Sequence, residues 1–206
     1  MNKYVLLIAL AAFFAGVQPA LSMTVGSDFG FQIKLPDNWT AVSKSQVRSK
    51  PDLVKGTFEV ADKDKNLRDL PAELYSKLKE KIAGGEVEYY YRNDSPGYNI
   101  SVYEDTGTIA QSGSGVREMC SLLPQELSRV TQKPVTVHEC RAKAIGNLLA
   151  LYVVGDGHRQ GQKYVQYLIQ KSPNRILMLT ATAGSGQDFE VMRTEFDEIM
   201  RSFKLL

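Results

Sequence analysis

Four extended runs follow one another between Pro134 and Ala183: PVTVHECRAKA, NLLALYVVG, KYVQYLIQ and RILMLTATA. Gly146-Asn147, residues 156–162 and Ser172-Pro173-Asn174 join them. Connections this short, rich in turn formers, suit antiparallel neighbours and leave no room for a parallel crossover. Nearly a quarter of the chain is therefore committed to an antiparallel sheet, and every other segment must pack against it.

The remaining periodicities supply the rest of that fold. FGFQIKLPDNW (Phe29 to Trp39) alternates, with Phe29, Phe31, Ile33 and Leu35 on one side. It reads as the first strand of the sheet, turned at Pro36-Asp37-Asn38, with the only tryptophan packed over the core as a structural peg. GTFEVAD (56–62) reads as another strand. Residues 69–83 place Leu70, Leu74, Leu78 and Ile82 on one helical face, opened by Asp69 and Pro71 and closed by Gly84-Gly85. EVEYYYRN and YNISVYE form a hairpin through Asp94-Ser95-Pro96-Gly97. A second helix carries Val116, Met119, Cys120, Leu123, Leu127 and Val130 on one face. Pro124 removes its bond to Cys120 and is expected to kink or split it. The last helix repeats Phe189, Met192, Phe196, Ile199 and Phe203, with a capping signature at Ser185 and Asp188. The expected class is α+β: an antiparallel β-sheet flanked by helices in a layered α/β/α sandwich.

The first 22 residues read as a signal peptide. Lys3 precedes an apolar run from Tyr4 to Val17, shorter than the ~20 residues of a membrane span, and Ala20-Leu21-Ser22 fits a small-x-small cleavage site. The expected mature chain is one domain over residues 23–206, periplasmic or secreted, with no integral membrane segment and no lipid-anchor cysteine at its start. An uncleaved N-terminal tether is the alternative. With Lys3 gone, 24 basic residues face 23 acidic ones. Such a balance carries no electrostatic footprint for nucleic acid, and no basic amphipathic helix suggests a membrane-surface binder. Cys120 and Cys140 are the two cysteines. An exported context favours a disulfide between them over two buried thiols.

The residues F-x-I-x-L-P-x-x-W at 31–39, RILMLTATA, and F-E-x-x-x-x-x-F-x-x-I-x-x-S-F at 189–203 together resemble the PsbP-like superfamily. Its members include PsbP, the bacterial DcrB and the yeast Ran-binding import factor. The resemblance implies an antiparallel sheet flanked by helices. It transfers no active site, because the matching positions are structural, and the missing anchor cysteine departs from DcrB-like lipoproteins.

Motifs with a chemistry of their own are weak. Asp62, Asp64, Asn66 and Glu73 fall at positions one, three, five and twelve of a calcium loop. Leu67 occupies the sixth position, where the turn requires glycine, and Lys63, Lys65 and Arg68 dilute the negative field. A solvated loop before a capped helix is the simpler reading. His138 and Cys140 would share a strand face, but no second cluster completes a metal shell. His158 falls in a glycine-rich turn. Neither QSGSG (111–115) nor GSG (184–186) is a nucleophile elbow, and phosphate-cradling motifs are absent.

The aromatic pattern is more suggestive. Val87, Tyr89 and Tyr91 alternate onto one side of their strand, and Tyr90 joins Glu88 and Arg92 on the other. With Asn99 and Tyr103 on the partner strand, Tyr90 and Arg92 have the amphipathic composition of a protein interface; tyrosine's strand propensity is the simpler account. The expected function is a non-catalytic exported accessory or binding domain with a protein partner in the cell envelope and no cofactor. A small-ligand carrier with a pocket between sheet and helices is the alternative, and a hydrolase or metal-dependent enzyme a third.

Overall fold

A computed structural model describes residues 22–49, 72–95, 97–157, 160–184 and 187–206, without the side chains of residues 72–75 and 130. The chain builds β1 (Ser22–Gly26), β2 (Phe31–Pro36), β3 (Trp39–Val42), α1 (Lys44–Ser49), α2 (Ala72–Gly84), β4 (Glu88–Arg92) and β5 (Asn99–Thr106). There follow α3 (Gly113–Thr131), β6 (Val137–Ile145), β7 (Leu148–Asp156), β8 (Lys163–Ser172), β9 (Arg175–Ala183), α4 (Phe189–Arg201) and β10 (Lys204–Leu205).

The main sheet has seven strands in the order β3-β4-β5-β9-β8-β7-β6, all antiparallel. It consists of two meanders, β3–β5 and β6–β9. A long seam joins them, from Asn99 opposite Thr182 to Thr106 opposite Arg175. The four runs between 134 and 183 form the second meander in the expected antiparallel register. The opening strand does not belong to this sheet. β2 is the middle strand of a separate three-stranded sheet, β1-β2-β10. Alternation identifies a strand but not its partners, and the turn at 37–38 carries the chain across to β3.

Two faces divide the packing. On one, α4 and the small sheet close over Ile100, Val102, Val165, Ile169, Leu177 and Leu179, all fully buried. Phe31 stacks on Phe203 with ring centroids 5.1 Å apart. Burying each such side chain stabilises the fold by about 1.5–3 kcal/mol. On the other face, α1 and α2 cover Val42 and Tyr91 at one end. At the far end α3 covers Leu151, Val153 and Ile176.

The helix ends follow local chemistry. Gly85, at φ +81°, places α2's last turn in a Schellman arrangement, with Glu86 N–H donating to Lys81 O at 2.8 Å. Asp188 caps α4 by accepting from the N–H groups of Glu190 and Val191. α3 runs through Pro124 without ending. Val116, Met119 and Leu123 pack on the sheet before the proline, and Cys120 is bonded to Cys140 of β6. Those anchors outweigh a proline penalty of about 3 kcal/mol. The disulfide pairing is the one expected in sequence.

Glu88 is buried on the main-core face, beneath the β1–β2 turn. Its carboxylate accepts from Asp28 N–H at 2.6 Å and from the Tyr90 hydroxyl. Burial pushes its pKa up, against the opposing hydrogen bonds of Tyr90, Ser27 and Asp28. A carboxyl raised in the folded state stabilises the fold below its unfolded pKa of about 4.3. That contribution is lost as pH rises through the raised value. Glu88→Gln is therefore expected to flatten the pH dependence of urea stability above the ordinary carboxylate range. An unchanged slope would show that another group sets it.

Candidate functional site

Between the two helix-covered ends, the same sheet face carries a polar strip. Alternation along β5, β8 and β9 buries Ile100, Val102, Val165, Leu179 and Ala181 beneath the main core. Their neighbours in sequence therefore point the opposite way. Cross-strand register assembles these into rows: Tyr164–Thr182–Asn99, then Gln166–Thr180–Ser101, then Leu168–Met178–Tyr103. All nine are half-buried.

Leu168 and Met178 pack into the apolar cluster under α3. Six of the nine, Ser101, Tyr103, Tyr164, Gln166, Thr180 and Thr182, floor a groove of about 370 Å³. Leu127 and Thr131 of α3 and the segment Lys133–Thr136 wall it, and Asp156, Gly157 and Gln162 close one end. Gln166 Nε2 donates to Thr180 Oγ1 at 2.8 Å, which fixes the amide in the floor. Gly155 lies opposite Tyr164. A Cβ there would come within 2.7 Å of the Tyr164 hydroxyl and 2.8 Å of Thr136 O, so the missing side chain is what lets ring and loop approach. Burial raises the Tyr164 hydroxyl, with the charges of Tyr103 and Asp156 adding to it. Burial, and then Asp105, raises Tyr103. Both phenols stay neutral near pH 7 and serve as donors and acceptors alike.

The expected partner surface of Tyr90, Arg92, Asn99 and Tyr103 does not exist as one patch. Tyr90 is fully buried against the main core. The strand alternates as expected, but α1 and α2 cover one face of β4 while the core covers the other. Composition alone cannot show a strand buried on both sides. Arg92 shares Tyr90's face and is engaged internally, with Asp94 at 2.8 Å and Glu195 at 3.2 Å. It also lies over the Tyr98 ring at 5.1 Å. The hydrogen bond from Arg92 holds the Asp94 carboxyl below its ordinary range. Asn99 and Tyr103 lie in the rows of the strip, and Tyr103 lines the groove.

The sequence places Ser101 on one strand face with Asn99 and Tyr103, but the reading missed Tyr164, Gln166, Thr180 and Thr182. The signal was available: TAT in RILMLTATA and YVQ in KYVQYLIQ place polar groups at alternate positions of strands that should be covered on both faces. Of the calcium candidates, Asp62, Asp64, Asn66 and the side chain of Glu73 lie outside the described residues, as do the strand at 56–62 and His158. His138 pairs with Asp156 at 2.6 Å, and both are exposed. Among the described residues no group of three or more potential metal ligands occurs, and no helix is long and apolar enough to cross a membrane.

A second charged cluster lies between α4 and edge strand β6. Arg193 meets Glu139 at 2.6 Å, and Lys143 meets Asp197 at 2.6 Å. Arg141, Lys143 and Arg193 surround the Tyr152 ring, and burial pushes the Tyr152 phenol up to about 12. Each of those cations already has a carboxylate, so the cluster serves to dock α4 on the edge strand.

A seven-stranded antiparallel sheet with a small satellite sheet and helices on both faces defines an α+β protein of the PsbP-like fold. The solution structure of cyanobacterial PsbP (CyanoP) from Synechocystis matches it with TM-score 0.52 and 10% identity, over 93% of this chain and 96% of that one. The immunity protein TplEi of the T6SS from Pseudomonas aeruginosa superposes at TM-score 0.46, 10% identity and 89% and 97% coverage. The Saccharomyces cerevisiae Ran-binding protein Mog1p does so at 0.45, 9%, and 90% and 96%. No family model and no curated protein matches the sequence.

Proposed function

We propose that this chain is an exported, non-catalytic binding or accessory domain, one folded unit over residues 23–206, which engages a cell-envelope component through the groove over β5, β8 and β9. One observation carries the reading. Hydroxyl and amide side chains occupy the interior strands where a purely structural sheet would place apolar residues for a covering helix. The Cys120–Cys140 disulfide suits an oxidising compartment. Among the described residues the groove lining holds a single carboxylate, Asp156, and no hydroxyl nucleophile is bonded to His138. That arrangement favours binding over catalysis. Of the two occupants expected in sequence, a small ligand is supported by the concave space between sheet and α3. An envelope protein would have to reach the same floor through Tyr103, with Asn99 in the adjoining row.

The test is a photo-crosslinking residue at position 103 of the full chain, irradiated in intact cells. A discrete adduct is expected there and none from the same residue at exposed Glu190 on α4. Equal labelling at both positions, or none at either, would reject the groove.

A further inference from the structure

We infer that the groove is a binding site for a short neutral oligosaccharide segment. The inference rests on the groove being the binding surface, and it names the chemistry that surface selects.

Three properties of the floor point the same way. First, its polar groups are both donors and acceptors: the hydroxyls of Ser101, Thr180 and Tyr103 and the amide of Gln166. A sugar hydroxyl likewise donates and accepts at one atom, so a field of such side chains matches it in many rotations. Second, among the described lining residues stand one cation and one carboxylate, Lys133 and Asp156. They balance, so these residues give no preference for a phosphate or a polyanion. Third, Tyr103 and Tyr164 offer ring surface beside the hydroxyl rows, and an amphipathic ring suits the alternating C–H and O–H faces of a pyranose.

A peptide finds less here. Every floor strand already has hydrogen-bonded neighbours on both sides, so no backbone edge is free for strand addition. An amphipathic helix would need apolar anchor pockets, and the lining supplies Leu127, Pro134 and Val135, all at the wall. A volume of about 370 Å³ lies in the lower part of the range for small-molecule sites, roughly 300–1,000 Å³. Glycoside hydrolysis ordinarily needs two facing carboxyl groups, and the described lining has one, which suits a sugar held intact.

The experiment is amide NMR of the full oxidised chain titrated with cellotriose, maltotriose and triacetylchitotriose, and with a polar hexapeptide of glycine and serine. At least one trisaccharide is expected to give saturable shifts confined to β5, β8, β9 and residues 131–136, and the peptide none. Thr180→Val keeps the β-branched shape and removes one hydroxyl, and it is expected to weaken binding about tenfold. Tyr164→Ala is expected to weaken it further, and Tyr164→Phe to retain most of the affinity. Absence of groove shifts with every trisaccharide at about 10 mM would overturn the inference. So would Thr180→Val and Tyr164→Ala proteins that bind as tightly as the parent. A protein adduct from position 103 alongside such a result leaves the groove as the binding surface and removes the glycan. No adduct removes both.

Discussion

Trp39→Ala is expected to lower the free energy of unfolding by about 3 to 5 kcal/mol, the range for deleting a large buried aromatic. Trp39 is 3% exposed and stands at the start of β3, where the chain crosses from the small sheet to the main one. Its indole N–H donates to Glu195 Oε1 at 2.8 Å, and the other Glu195 oxygen receives Arg92 at 3.2 Å. The substitution therefore opens a cavity and strips a half-buried carboxylate on α4 of one of its two partners. Trp39→Phe separates the terms, because it keeps most of the ring and loses the donor; about 1 to 2 kcal/mol is expected from that loss. Urea denaturation of the three proteins measures both. A loss of groove binding with stability unchanged would instead make Trp39 a functional residue.

Replacing Cys120 and Cys140 together with alanine is expected to cost about 3 kcal/mol, the chain-entropy figure for a loop of this size. The bond ties α3 to β6 across a sequence separation of 20. α3 also walls the groove through Leu127 and Thr131, so the loss should not be spread evenly. Hydrogen exchange is expected to rise first along α3, while β8 and β9 keep the protection of the central sheet. Uniform acceleration would mean that α3 and the sheet open as one unit. The same bond gives a simple check on export: thiol alkylation without reductant should leave both cysteines unmodified in the exported protein.

Most secondary elements were legible because their causes are local. Two-residue alternation marks β2 and β4 through β9, apolar spacings of three and four mark α2, α3 and α4, and Gly85 and Asp188 mark ends. β1, β3, β10 and α1 escaped notice because they are short and carry no sustained period. The candidate site was only half visible. Tyr103 and Asn99 stood out as aromatic and amide groups on a hairpin, and Tyr90 was grouped with them because alternation reports which side a residue is on, not what covers that side.

The sequence by itself determined the β4–β5 hairpin and the second meander, since turn chemistry and alternation set the register of neighbours only a few residues apart; the pairing of β3 with β4, across residues 43–87, lay beyond it. The sequence also limited the disulfide to one pairing, because there are two cysteines, and the structure shows that bond formed. The tertiary structure alone decided that β5 pairs with β9. No turn encodes that seam, whose strands are separated by α3 and three further strands; it forms because both meanders bury one apolar face under α4 and the small sheet. The groove lies across that seam. Ser101 of the first meander and Thr180 and Gln166 of the second become one row only when the two apolar faces are buried together.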